Sequence, residues 1–363
     1  MLYNHTEALM SRIRPALTLC LTLIGGTAMA DAPRVAVDIA PVHSLVARVM
    51  ADVGTPDLIL PPGASPHEYN LRPSEASALQ NADIVVWMGE DLAPWMDHAV
   101  ETLAANASVL TLLEADVTTR LDVRENALFE AHSHDDHDDH GHKEDGHDDH
   151  GHDDHAHDDH GHDDHADHAA HDDHDDHADH DTHDHAEHDD HAHGSHDPHA
   201  WLSPANAGAW LNLIAAELSA ADPENAGTYF ANAAAARAEL DELNAEINAT
   251  LDPVRNRNFI VFHDAYQYFE AAFDFPAAGA ISLSDATDPS PARIAQVRDR
   301  VRDQDIACVL TEPQFNPGIL ATVLDGTTAK TAVSDPLGVD LTPGPALYPQ
   351  LIRNLAIALA SCL

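Results

Sequence analysis

The chain has 363 residues, 44% of them hydrophobic, which gives room for two domains of ordinary size with packed cores. Its 63 acidic side chains against 17 basic ones leave a formal net charge of -46. That charge argues against nucleic acid or an anionic membrane surface as a partner, because like charges repel, and it favours a positively charged ligand.

The first 30 residues have the pattern of an export signal. Arg12 and Arg14 precede an apolar stretch at residues 17–24, and Ala-Met-Ala at residues 28–30 is a small-x-small cleavage motif. The apolar stretch is too short for a membrane-spanning helix. We therefore expect a signal peptide over residues 1–30, cleavage after Ala30 and a soluble exported protein.

Predicted strands and helices alternate after the signal. The apolar patterns of strands occur at residues 34–39, 84–87 and 109–113, and helical spacing occurs at residues 43–50, 74–80 and 94–103. Ser203-Pro204 starts a further helix that continues to about residue 221. Because strands that alternate with helices form a largely parallel sheet covered on both faces, residues 31–222 are predicted to form an N-terminal α/β lobe.

An insertion of unusual composition interrupts this lobe at residues 131–197. It consists mainly of His, Asp, Gly and Ala, and 25 of the 30 histidines lie in residues 132–199. With almost no apolar side chain to bury, it is expected to be disordered without metal. Imidazole and carboxylate groups bind divalent transition metals, so we expect weakly bound metal ions on it. The alternative is a solvated, charged linker.

A long helix and a second α/β segment follow the insertion. The helix is predicted over residues 223–252, and its apolar residues Leu240, Leu243 and Ile247 recur at steps of three and four, so one stripe is buried. Strands at residues 259–262, 306–311 and 331–333 then alternate with helices at 266–273, 291–303, 318–324 and 348–360. We predict a C-terminal α/β lobe over residues 253–363, joined to the first by the helix as a rigid strut. Ligands of such folds bind beside the carboxyl ends of strands, where the cleft between the lobes should lie.

Two cysteines remain once Cys20 leaves with the signal peptide. An even pair in an oxidising compartment favours a disulfide between Cys308 and Cys362. Two buried free thiols are the alternative.

Three histidines outside the insertion, His67, His199 and His263, lie in loops rich in turn-forming residues. Each stands where a predicted strand or the insertion gives way to a helix. A single histidine of this kind is more often structural than functional. Three of them in an exported chain that also carries a metal-collecting insertion favour a shared metal site.

Five segments of the chain carry distinctive motifs. They are Pro-Pro-Gly-Ala-Ser-Pro-His at residues 61–67 continuing to residue 74, Asp-Pro-His-Ala-Trp-Leu-Ser-Pro at 197–204, Phe-His-Asp-Ala-Tyr-Gln-Tyr-Phe at 262–269, Thr-Glu-Pro-Gln-Phe at 311–315, and Ser-Asp-Pro-Leu-Gly at 334–338. These segments resemble those of a known family, the periplasmic zinc-binding proteins of zinc ABC transporters (ZnuA type). The resemblance implies two lobes joined by a long rigid helix, one metal ion between them, a disulfide near the C-terminus and a membrane permease as partner.

The resemblance also implies the ligands of that metal. His67 and His199 would come from the first lobe, His263 from the second, and Asp335 matches a position where related metal binders place a carboxylate. Where some zinc-binding members have Glu before the first ligand, this chain has Pro66, so the fourth ligand is Asp335, water or, third, Glu68. Glu312 lies in a family motif and is interpreted as a supporting carboxylate. Three imidazoles and one oxygen suit tetrahedral Zn²⁺, whereas Mn²⁺ prefers more carboxylate.

Together these features predict a monomeric, exported, high-affinity zinc-binding protein that delivers Zn²⁺ to an ABC-transporter permease and takes no small organic substrate. The insertion would collect or buffer zinc and pass it to the cleft, a tethered effective-concentration effect. Because imidazole must be neutral to bind, capture should fade as the pH falls through about 6.5.

Other functions fit the same residues less well. Storage or buffering without delivery is one, and an adhesin or metal-bridged assembly module is another. A zinc hydrolase could use Glu68 or Asp264 as a base. The chain has neither a His-Glu-x-x-His helix nor a Gly-x-Ser-x-Gly turn, so we predict that it is not an enzyme.

Overall fold

The computed structural model describes residues 32–124, 129, 196–282, 289–313 and 317–363. The predicted signal peptide and, except for its last two residues, the His/Asp-rich insertion lie outside the described residues. Within the described part of the chain, no helix combines the length and hydrophobicity needed to cross a membrane.

The first sheet is parallel and has the strand order β2-β1-β3-β4. Its elements are β1 (Val35–Val37), α1 (Ala40–Val49), β2 (Asp57–Leu58), α2 (Pro73–Asn81), β3 (Ile84–Trp87), α3 (Pro94–Leu103) and β4 (Ser108–Thr111). Alternate residues of the central strands pack into different apolar clusters: Val35 and Val37 on one face, Ala36 and Val85 on the other. Burial on both faces explains why β3 is apolar throughout.

The second sheet repeats this arrangement with the order β6-β5-β7-β8, again parallel. Its elements are β5 (Phe259–His263), α6 (Gln267–Phe273), β6 (Ala280–Ser282), α7 (Pro291–Asp303), β7 (Cys308–Thr311), α8 (Pro317–Leu324), β8 (Lys330–Val333) and α9 (Leu347–Cys362). A disulfide joins Cys308 on β7 to Cys362 on α9, as predicted.

Helices α4 (Pro204–Ala221) and α5 (Ala226–Leu251) lie between the two sheets in the chain. The Ser203 side chain caps α4 by accepting a hydrogen bond from the Asn206 backbone N–H. The 26-residue α5 has a short 3-10 turn at each end and buries the predicted stripe. It packs on α1 and α4 of the first lobe and on α9 of the second, so one apolar core continues from lobe to lobe.

Two short strands, β2 and β6, were not predicted from the sequence. They contain two and three residues, too few for a periodic pattern, and β2 begins with an exposed Asp57. Helix α1 also begins three residues earlier than predicted, at Ala40. Pro41 lies at its first turn, where the fixed φ of proline and its missing N–H are compatible with a helix.

Candidate metal centre

The three predicted histidines converge at the carboxyl end of the second sheet. His263 is the last residue of β5, His67 lies in the loop between β2 and α2, and His199 precedes the 3-10 turn that leads into α4. Their potential ligand atoms all lie within 4.8 Å of one another. The ring centroids of His199 and His67 are 5.6 Å apart, and those of His199 and His263 are 5.1 Å apart.

The cluster is buried on one side and accessible on the other. His199 is 6% exposed and His263 is 3% exposed, whereas His67 is only half-buried. Solvent therefore reaches His67 more readily than the other two imidazoles.

Buried carboxylates contact the rings of His199 and His263. His199 Nδ1 lies 2.7 Å from Asp197 Oδ1, which also accepts the backbone N–H of His199 at 2.9 Å. His263 Nδ1 lies 2.7 Å from Glu312 Oε1. A carboxylate at Nδ1 holds the proton there, so Nε2 becomes the nitrogen that can bind a metal. Both rings are thus held in a defined orientation.

The pKa of the buried carboxylate of Asp197 depends on the charges around it. Burial raises the pKa of Asp197 to about 7, against the hydrogen bond from the His199 backbone and the positive charge of Arg124, which lower it. A cation held by the imidazoles would favour the ionised form of such a carboxylate.

Comparison with known proteins gives the site its context. The chain matches the model of the family described as "ZnuA: Zinc-uptake complex component A periplasmic" over residues 35–362. The chain belongs to the ZnuA family. This match confirms the resemblance found in the sequence motifs.

Two relatives within the ZnuA family are similar over nearly their whole length. The chain is 46% identical over 339 residues to the high-affinity zinc uptake system protein ZnuA of Brucella abortus, covering 93% of this chain and 94% of the relative. It is 41% identical over 355 residues to the protein of the same name from Paracoccus denitrificans, covering 97% and 99%. A crystal structure of ZnuA superposes with a TM-score of 0.64 at 21% identity, over 92% of this chain and 99% of that one. This likeness confirms the predicted α/β fold.

Asp335 and Glu68, the two residues considered for the fourth ligand, lie outside the cluster found among the described residues. Asp335 follows β8, and its carboxylate accepts hydrogen bonds from the backbone N–H groups of Leu337, at 2.9 Å, and Val339. Glu68 is exposed. In this structure Asp335 therefore stabilises its own turn.

The role of Glu312 as a supporting carboxylate agrees with its contact to His263, whereas sequence reasoning missed Asp197 as a partner of His199. A signal for Asp197 was present, because an Asp two residues before another residue commonly accepts that residue's backbone N–H in an Asx turn. Here that turn also brings the carboxylate to the imidazole.

Proposed function

We propose that this protein captures Zn²⁺ with His67, His199 and His263 and delivers it to the permease of an ABC transporter in the membrane. The observation that carries the proposal is the convergence of three imidazoles from both lobes within 4.8 Å. Nitrogens bound to one tetrahedral zinc ion at about 2.0–2.1 Å are roughly 3.3 Å apart, so a small adjustment of the rings would complete the site.

Donor chemistry supports zinc over manganese. The cluster offers three imidazole nitrogens, which suit Zn²⁺, whereas Mn²⁺ prefers carboxylates and a higher coordination number. Of the two leading candidates for the fourth position, Asp335 and water, we favour water, because Asp335 lies outside the cluster and its carboxylate accepts the N–H groups of its own turn.

We further propose that the insertion at residues 131–197 collects or buffers zinc for the cleft. Support comes from the described residues near it: Asp122 and His196 form an antiparallel bridge, and the Asp197 N–H donates to the Leu121 carbonyl at 2.8 Å. The segment 121–124 that precedes the insertion therefore lies against the last two residues of the insertion, next to His199. Deletion of residues 132–194 should remove the weak sites and retain one tight site; loss of the tight site would contradict this division of roles.

The family and the sequence together support a periplasmic protein. We propose cleavage after Ala30, lobes at residues 31–222 and 253–363 joined by a linking helix at 223–252, and a monomer as the active form. We also propose that it binds zinc without catalysis. Asp264, a candidate base for a hydrolase, pairs with Arg124, and Glu68 is exposed.

The function is tested by zinc titration of His263→Ala against His98→Ala, both without residues 132–194. His98 is an exposed histidine on α3 and is the matched control. Competition with a chelator should show one tight site in the parent and in His98→Ala, and at least a 100-fold higher Kd in His263→Ala, more than loss of a supporting residue usually causes. An unchanged Kd in His263→Ala would refute the site.

Delivery and storage are separated in cells. A strain that lacks its own zinc-binding protein but keeps the permease should regain zinc-limited growth with the parent chain and not with His263→Ala. Tight binding in solution without restored growth would favour storage or buffering.

A further inference from the structure

Arg124, at the edge of the first lobe, contacts two carboxylates of the second lobe. Its Nε donates to Asp264 Oδ2 at 2.9 Å, and Nη2 donates to the other Asp264 oxygen. Nη1 donates to Glu270 Oε2 at 2.8 Å, and Nη2 also donates to Glu270 Oε1 at 3.1 Å. One guanidinium therefore holds both carboxylates in bidentate fashion, which a lysine cannot do.

This ion cluster is buried. The side chains of Asp264 and Glu270 are each 5% exposed, and that of Arg124 is 18% exposed. Buried ion pairs contribute little net stability, because desolvation offsets the attraction between the charges. A contribution to stability is thus a poor explanation for these three buried charges. Their position beside the histidines points instead to a role in the metal centre.

The ion cluster links the residue next to His263 with the segment that contacts Asp197, the partner of His199. Asp264 directly follows His263 in the chain. Arg124 lies on the segment 121–124, whose Leu121 carbonyl accepts the N–H of Asp197, the partner of His199. Tyr268 of the second lobe adds a second link, since its hydroxyl donates to the Asp197 carbonyl at 3.0 Å and accepts the Leu121 N–H at 2.9 Å.

We propose that Arg124 is a positioning residue of the metal centre, which sets the separation of His199 and His263 by holding Asp264 and Glu270 against the segment 121–124. This inference rests on the proposed function, because it concerns the same three-imidazole site. Arg124 does not touch the metal; it acts through the backbone that carries His263. Loosening this link should weaken zinc binding and change the coordination geometry.

Arg124→Lys tests the proposal, because it keeps the charge of the buried cluster and removes the bidentate fork. Arg255→Lys is the control: Arg255 also donates to several partners, Asp252, Asn248 and the Phe273 carbonyl, but at the end of α5 and away from the cleft. We expect the zinc Kd to rise about tenfold in Arg124→Lys, as for other residues that orient metal ligands. Arg255→Lys should bind zinc as the parent does.

The absorption spectra of the Co²⁺-loaded proteins provide a second measurement, which would not change if Arg124 only stabilised the fold. The visible d–d bands of Co²⁺ report ligand geometry, and they should differ from the parent in Arg124→Lys and match it in Arg255→Lys. If Arg124→Lys does not fold, Glu270→Gln replaces it, with a change in the same direction. Parent-like Kd and bands in the Arg124 or Glu270 variant overturn this inference alone. A parent chain without a tight zinc site overturns the proposed function, and this inference with it.

Discussion

At the scale of single residues, the buried carboxylates behind His199 and His263 decide which ring nitrogen faces the cleft. The Glu312 side chain has no exposed surface and that of Asp197 is 5% exposed, so each loses hydration that its contact with an imidazole must offset. Such pairs orient a histidine and raise its basicity toward a metal. These contacts therefore fix the orientation of both rings, as the proposed zinc site requires.

Asp335 provides a prediction at this scale. If it holds its turn and water is the fourth ligand, Asp335→Ala should lower the free energy of unfolding by about 2 kcal/mol, because two backbone N–H groups lose a charged acceptor. The zinc Kd should change by less than tenfold. Urea unfolding and chelator competition measure the two quantities. A 100-fold rise in Kd with little loss of stability would instead assign Asp335 as the ligand.

At the scale of elements, the carboxyl ends of neighbouring strands are joined by side chains as well as by the sheet. Asp38 directly follows β1 and is 1% exposed. Its oxygens accept the backbone N–H groups of Ile39 and Met88, each at 2.7 Å, and Met88 directly follows β3. The ends of two central strands are thereby held at one buried carboxylate.

Asp38 predicts a pH dependence of stability. Burial raises its pKa to about 7, against the hydrogen bonds from Met88 and Ile39. Between its unfolded value of about 3.9 and pH 7, the folded chain keeps a proton that the unfolded chain has lost, so this contribution to stability falls as the pH rises. Asp38→Asn does not titrate. Between pH 5 and 7 the free energy of unfolding of the metal-free parent should fall by about 2 kcal/mol more than that of Asp38→Asn.

Urea unfolding at several pH values measures this difference, with the exposed Asp57→Asn as control. Because other titrating groups are common to all variants, their contributions cancel in the comparison. Parallel pH profiles for the parent and Asp38→Asn would show that Asp38 has the same pKa in the folded and the unfolded chain.

The sequence predicts some helices, strands and site contacts of this protein better than others. Helix α5 could be predicted to within three residues at its start because its buried stripe repeats over many turns. The two residues of β2 carry no period, and their strand character depends on pairing with β1. The histidines could be proposed from their turns and from family motifs. The pairing of Arg124 with Asp264 and Glu270, 140 and 146 residues away, depends on the folded topology.

At the scale of the whole molecule, the lobes are connected on the side away from the site by packing and near it by buried hydrogen bonds. Tyr348 on α9 donates from its hydroxyl to the Trp201 carbonyl at 2.9 Å, and its backbone N–H donates to Ser44 on α1 at 2.9 Å. The Trp201 indole donates to the Pro336 carbonyl at 2.8 Å. With α5 packed along both lobes, we expect only small lobe movement when metal leaves.

The disulfide between Cys308 and Cys362 gives a prediction about this shared core. It closes a loop with a sequence separation of 54 residues, for which the chain-entropy model gives about 4 kcal/mol of stabilisation through the unfolded state. Cys308→Ser with Cys362→Ser should lower the free energy of unfolding by about that amount in urea. The zinc Kd should remain within twofold of the parent, because Cys308 begins β7 whereas the site lies at the carboxyl ends of the strands. A tenfold rise in Kd in the folded double variant would mean that the disulfide between β7 and α9 also helps to position Glu312 and His263.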